Sequence, residues 1–214
     1  MNSSNERLFI GIDLGGTKIA SALVDADMRI IDRIKIATRP EEGPSAVIGR
    51  MLGTVRDLAA RKGCDVSDVR AIGIGCPGPL DQQTGAVLDA PNLMWKDVSL
   101  AAPMAESTGR PVYLENDANV AALAENRLGA GRGAKDMMYI TVSTGIGSGL
   151  ILGGRLYVGA TGAAGELGHV TMLPDGPLCG CGNRGCLESL ASGTAIARRA
   201  REIAVRPGGE GILR

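Results

Sequence analysis

The chain has 214 residues, of which 44% are hydrophobic and 21% charged, the balance of an ordinary globular protein rather than a disordered or collagen-like one. Lys plus Arg and Asp plus Glu both number 23, so there is no surplus positive charge to neutralise nucleic-acid phosphates or to hold an anionic membrane surface. No apolar run reaches the roughly eighteen residues of a membrane span, and the polar start MNSSNER has no secretory apolar core, so a cytoplasmic location is expected.

From Arg7, RLFIGIDL is apolar and β-branched, GGT is a turn, and KIASALVD and MRIIDRIKIAT make two more strands of an antiparallel meander. In SAVIGRMLGTVRDLAARKG, the residues Val47, Met51, Val55 and Leu58 share one helical face, and Gly63 is placed to cap the helix. VRAIGIGC is another buried strand. The stretch CPGPLDQQTGAVLDAPNLMW is punctuated by Pro and Gly and allows no long regular element. A helix around SLAAPMAEST, a strand RPVYLEN, and an Ala-rich helix DANVAALAENRLGAG follow, the last with Asp117 as a possible N-cap.

The strand KDMMYITVS and the segment TGIGSGLILGGRLYVG repeat the opening pattern of strand, Gly and Thr turn, strand. Two similar lobes are expected, over residues 1–115 and 116–214. The final helix, SGTAIARRAREIAV, leads to PGGEGILR, in which no further strand is read.

Glycine is abundant, 32 residues of 214 against a usual share of roughly 7%. Much of it lies in short runs after β-rich segments, where backbone amides can approach phosphate oxygens. In DLGGTK, Gly15 and Gly16 expose amides, Thr17 adds a hydroxyl, Lys18 a cation, and Asp13 a carboxylate able to hold Mg²⁺ through water. A plain hairpin turn explains the same residues. The second turn, STGIGSG, offers Thr144, Gly145 and Gly147, and two such turns suit a nucleotide's phosphates, a task of positioning and charge. Neither turn has the spacing of a P-loop or of a dinucleotide-binding loop.

Cys179, Cys181 and Cys186 are spaced by two and five, and the sole histidine, His169, precedes the first of them by ten. Three thiolates and an imidazole complete a tetrahedral zinc site, and Gly180, Gly182 and Gly185 supply the turns that such short loops need. A disulfide or free thiols are the competing readings. Three clustered cysteines leave one unpaired, and a cytosolic chain seldom keeps disulfides. Cys64 and Cys76 stand alone and are read as structural. Glu115, Asn116 and Asp117 lie where a strand gives way to a helix, whose N-terminus favours an ionised carboxylate. Asp117 there is either an ordinary cap or a general base for a substrate hydroxyl.

DLGGTK, CPGP, NLMW, ENDANVAALAE, STGIGSG, GELGH and CGCGNRGCLES together, in this order, resemble the ROK family of sugar kinases and repressors, from about Leu8 to Ala204. The resemblance implies an α/β fold, the duplicated actin-like or ribonuclease H-like ATPase architecture, with sugar and ATP meeting in a cleft between two lobes. It implies that Asp117 is the catalytic base and that Asn116, Glu166, His169 and Glu188 bind the sugar hydroxyls, with Asn92 a further contact. His169 would use one ring nitrogen for Zn²⁺ and the other for sugar, the metal fixing its tautomer.

Family members continue past the helix that ends this sequence, adding helices and a glycine-rich segment that contacts adenosine, so an incomplete second lobe and an inactive or association-prone fragment is one expectation. The expected activity is ATP- and Mg²⁺-dependent phosphorylation of a hexose, glucose at its 6-hydroxyl. Fructose and N-acetylhexosamines are alternative substrates, against which the look of DLGGTKIASALVD and of the zinc loop argues. A sugar-responsive repressor is disfavoured, because only seven residues precede Leu8 and the net charge is zero. The expected assembly is a homodimer or homotetramer, with no nucleic-acid or membrane partner.

Overall fold

The structure, a computed structural model, describes residues 7–205, and the tail read as free of strand, 207–214, lies outside the described residues. The chain divides into two compact units between Asp117 and Ala118.

In the first unit, β1 (Leu8–Leu14), β2 (Lys18–Val24) and β3 (Ile30–Ala37) form the antiparallel meander that alternation of apolar residues demands. Leu8, Ile10, Ile12 and Leu14 point to one face of β1 and are buried, as their period of two requires. The strands β4 (Val69–Cys76) and β8 (Val112–Asn116) then add in parallel, giving the order β3-β2-β1-β4-β8.

Helix α1 (Pro44–Lys62) starts with proline at its first position and ends at Gly63, which takes the left-handed conformation open to glycine. Its face of Val47, Met51, Val55 and Leu58 is fully buried in one core with β1, β2 and β4. At roughly 1.5–3 kcal/mol per buried side chain of this kind, that face is what holds the helix to the sheet. Helix α2 (Ala101–Thr108) adds Met104 to the same core.

The Pro- and Gly-rich stretch is more ordered than its punctuation suggests. It forms a small antiparallel sheet of β5 (Leu80–Asp81), β6 (Ala86–Ala90) and β7 (Trp95–Ser99), with a 3₁₀ turn at Pro91–Leu93. Val87, Leu93 and Trp95 are buried, and that apolar anchoring makes short strands persist where local signals favour loop.

Helix α3 (Asp117–Leu128) spans the division between units, with Asp117 as its first helical residue rather than the residue before it. The second unit carries a three-stranded antiparallel sheet of β9 (Met137–Val142), β10 (Ile146–Leu152) and β11 (Arg155–Tyr157), in the order β11-β10-β9. This repeats the connectivity of β1-β2-β3, so the internal echo of the sequence is also one of topology. The unit closes with α4 (Leu187–Ala191), which the sequence pattern does not announce, and α5 (Gly193–Ala204), capped by the Ser192 hydroxyl accepting from the Ala195 N–H. Among the described residues no helix is long and apolar enough to cross a membrane.

Candidate functional site

The C-terminal ends of three neighbouring strands of the first unit present the chemistry. Asp13 on β1 pairs with Gly75 on β4, and Cys76 pairs with Asn116 on β8, immediately before Asp117. Crevices at the carboxyl ends of parallel strands are where open α/β sheets bind ligands. Cys76 is fully buried between these carboxylates: burial first, then the charges of Asp117 and Asp13, push its thiol up to about 12. It is therefore a neutral filler, as its isolation in sequence suggested, and the charges of Asp13 and Asp117 both reach it from the strand ends.

The turn after β1 is closed by the Gly15 N–H donating to the Lys18 carbonyl at 2.9 Å. It is braced by Thr38, a residue that no sequence motif marks. The Thr38 hydroxyl donates to the Gly15 carbonyl at 2.6 Å and its N–H to the Thr17 carbonyl at 3.1 Å. Arg50 of α1 in turn donates through Nε to the Thr38 carbonyl at 2.9 Å. With its carbonyls engaged, the turn leaves Asp13, Thr17 and Lys18 exposed. Gly16 lies against the 3₁₀ turn: a Cβ there would sit 2.5 Å from the carbonyl oxygen of Asn92, so only glycine permits this approach. Asn92 is itself exposed.

In the second unit the glycine turn runs from Ser143 to Gly145, the Ser143 N–H donating to the Gly145 carbonyl at 2.9 Å. Its other carbonyls are taken by the start of α5. The Gly193 N–H donates to the Ser143 carbonyl at 2.8 Å, and the Thr194 hydroxyl to the Thr144 carbonyl at 2.9 Å. Ser143, Thr144, Gly193, Thr194, Ala197 and Arg201 line a concavity of about 350 Å³. Gly193, Thr194 and Arg201 escape a motif-based reading, although the Ser-Gly-Thr helix start is a visible signal. Gly147 lies in β10, paired with Thr141 and packed against Ala118, so its smallness serves helix–strand packing.

Glu188 of α4 is drawn to this turn rather than to the cysteines: its carboxylate accepts the Ile146 N–H at 2.8 Å and lies against Gly145. The GELGH segment is held to β10 by Ser148, whose hydroxyl donates to the Gly165 carbonyl and accepts from the Leu167 N–H.

The donor atoms of His169, Cys179, Cys181 and Cys186 all lie within 4.8 Å of one another, and all five cysteines are free. Cys179 Sγ is 3.6 Å from His169 Nδ1, and Cys181 Sγ is 3.7 Å from Cys186 Sγ. A tetrahedral ion with metal–sulfur bonds of ~2.3 Å sets its ligands about 3.8 Å apart. The four groups thus fit a zinc ion. The other ring nitrogen, Nε2, faces the Glu166 carboxylate at 3.9 Å. The loop is closed by an isolated bridge between Thr171 and Cys186 and by Asn183 Nδ2 donating to the Thr171 hydroxyl at 2.9 Å.

The structure therefore places Asp13, Asn116 and Asp117 at the carboxyl ends of neighbouring strands, sets Asn92 against Gly16, joins His169 to the three cysteines with Glu166 beside it, and places Glu188 on the second turn.

Comparison with known proteins shows what the whole chain is similar to. A glucokinase from Thermotoga maritima is 43% identical over 194 residues, 90% of this chain and 60% of its own length. The solved structure of a ROK family glucokinase from Streptomyces griseus, in complex with glucose and AMPPNP, superposes with a TM-score of 0.80 at 43% identity, covering 92% of this chain and 61% of that one. A ROK hexokinase from Thermus thermophilus gives 0.79 at 46% identity, over 94% of this chain and 65% of its own. The chain spans about 60% of the length of the curated relatives it matches. The fold is the α/β actin-like, ribonuclease H-like ATPase fold, with the second lobe covered in part. With the family's sequence pattern matched from residue 9 to residue 211, the chain belongs to the ROK family.

Proposed function

We propose that the protein is an ATP-dependent hexose kinase that converts glucose to glucose 6-phosphate. The observation that carries this is the convergence of Asp13, Asn116 and Asp117 at the ends of β1 and β8, in a chain 43% identical to a glucokinase that binds glucose and AMPPNP. Asp117 accepts the proton of the sugar hydroxyl as that oxygen bonds to the γ-phosphorus, and the bond to the bridging oxygen breaks with its electron pair leaving on ADP. Thr17, Lys18 and the Gly15–Gly16 amides of the first turn, with Thr144 and Gly145 of the second, hold phosphate oxygens. Asp13 holds Mg²⁺, which supplies charge neutralisation on the phosphates when bound. Gly193, Thr194 and Arg201 extend the second turn's phosphate-binding surface, since Arg201 brings a fixed positive charge to the same concavity.

Asn92, Asn116, Glu166, His169 and Glu188 bind sugar hydroxyls. His169, Cys179, Cys181 and Cys186 hold Zn²⁺, a structural ion that supplies rigidity to the loop. His169 then presents Nε2 beside Glu166, in one tautomer, to the substrate. Gly147 contributes by letting α3 approach β10. The protein acts in the cytoplasm as a homo-oligomer, on a small sugar and without nucleic-acid or membrane partners.

A coupled assay of ADP release, run with glucose, mannose, fructose and N-acetylmannosamine, tests the reading. Glucose is expected to have the highest kcat/KM. Turnover of every sugar at the level of an Asp117→Asn control would overturn it.

A further inference from the structure

Glu115 lies one residue before the Asn116–Asp117 pair and has no role in the chemistry above, yet both of its carboxylate oxygens are engaged within the first unit. Oε1 accepts the N–H of Asn116 at 2.8 Å, and Oε2 accepts from Gln82 Nε2 at 2.6 Å. Gln82 stands in the turn between β5 and β6, on the small sheet that carries Asn92. That turn is ordered before Gln82 reaches across. The Asp81 carboxylate accepts the N–H groups of Gln83 at 2.9 Å and Thr84 at 3.2 Å, and the Gly85 N–H donates to the Asp81 carbonyl at 2.8 Å. Hydrogen bonds from Thr84 and Gln83 also hold the Asp81 carboxyl below its usual range, so it stays ionised and keeps accepting. A side chain on a pre-ordered turn loses little freedom when it makes one more bond.

The link is short and charge-assisted, the stronger class of hydrogen bond. It connects two elements that bear different sugar contacts. On one side, the β6–β7 connection carries Asn92. On the other, the end of β8 carries Asn116 and leads into Asp117. Among the described residues β8 is an edge strand of its sheet, so its C-terminal end has a neighbouring strand on one side only, and the Gln82 tie lies at that end.

We propose that Gln82 and Glu115 form a positioning pair that sets the Asn92-bearing sheet against the Asn116–Asp117 junction and thereby sets affinity for the sugar. The pair touches no reacting atom, and its role rests on the reading of these residues as a sugar site. Loosening it affects ground state and transition state alike, so the loss falls on KM rather than kcat.

The test is a double-mutant cycle on the full chain, with Gln82→Ala, Glu115→Ala and the double variant, together with Gln82→Lys and Asp117→Asn. Steady-state kinetics are read alongside glucose titrations without ATP, followed by the fluorescence of Trp95, the sole tryptophan, on β7 of the small sheet. Gln82→Ala is expected to raise both the glucose KM and the glucose dissociation constant about fivefold, the loss of one exposed charge-assisted bond, with kcat within twofold. The double variant is expected to be no weaker than Glu115→Ala, and Gln82→Lys, which keeps a donor for the carboxylate, to recover most of the loss. An unchanged KM and dissociation constant in Gln82→Ala, or effects that simply add, would overturn the pair while leaving the kinase reading intact. A parent chain that neither binds nor phosphorylates glucose would overturn the kinase reading and the pair's role with it.

Discussion

Replacing Gly16 with alanine would put a methyl group 2.5 Å from the carbonyl oxygen of Asn92 and 3.0 Å from its Cβ. A carbon meets a carbonyl oxygen comfortably at about 3.3 Å, so one side must retreat by roughly 0.8 Å. Neither side has slack. The glycine turn is pinned by the Thr38 hydroxyl at 2.6 Å and by its own closing bond at 2.9 Å, while the 3₁₀ turn is anchored by fully buried Leu93. Overpacking of this kind costs about 1–3 kcal/mol, which in a chain of this size lowers Tm by roughly 2–12 °C. The functional loss should exceed what the stability loss explains, because a displacement of about 1 Å at a positioning loop reduces rate by up to roughly a hundredfold. Kinetics with glucose and ATP varied separately, at a temperature well below Tm, measure it. A fall in kcat/KM of at least tenfold for both substrates is expected, since the same clash moves the turn proposed to hold phosphate and the loop proposed to hold sugar. A Gly16→Ala variant with parental kcat/KM for both would refute the argument that these loops are packed to contact.

Asp117→Asn should lower kcat by about a hundred- to ten-thousandfold with sugar binding retained, and a variant keeping a third of parental turnover would remove Asp117 from its role. Elemental analysis of protein prepared without chelator should find about one zinc per chain, lost in Cys181→Ser, whereas a Cys179–Cys186 disulfide or no stoichiometric metal would refute the site. Glu188→Gln, which keeps an acceptor for the Ile146 N–H, should lower kcat/KM less than Glu188→Ala, and equal losses would show that the bond to the second turn is dispensable. Cys76 titrates near 12 when folded and near 9 when unfolded, so the folded state holds its proton more tightly. Its contribution to stability is complete below pH 9 and is lost as pH rises from there toward 12. Urea midpoints measured between pH 8 and 10.5 should therefore decline less in Cys76→Ala than in the parent.

Much of the secondary structure follows from short-range pattern. The alternating apolar residues of β1, the four-residue stripe of α1 and Gly63 at its end act over a few residues each, and the structure carries them where the periodicity puts them. The cluster proposed to hold zinc is equally legible, because Cys179, Cys181 and Cys186 fall within one tight loop, and only His169 has to be brought in from ten residues away. The place of Asp117 between strand and helix left a cap and a general base open, and only the family resemblance chose between them; its position inside the first helical turn, and not before it, depends on how β8 ends.

What tertiary structure alone decided is the set of contacts between segments far apart in sequence. Thr38 bracing the first turn across 23 residues, Gly16 abutting Asn92, Glu188 reaching the Ile146 amide across 42 and Gln82 holding Glu115 across 33 have no local signature, since each side chain is compatible with solvent until the sheet register and helix packing bring its partner within hydrogen-bond reach. The small sheet of β5, β6 and β7 belongs to the same class: its residues have weak strand preference, and burial of Val87, Leu93 and Trp95 against the core outweighs that preference.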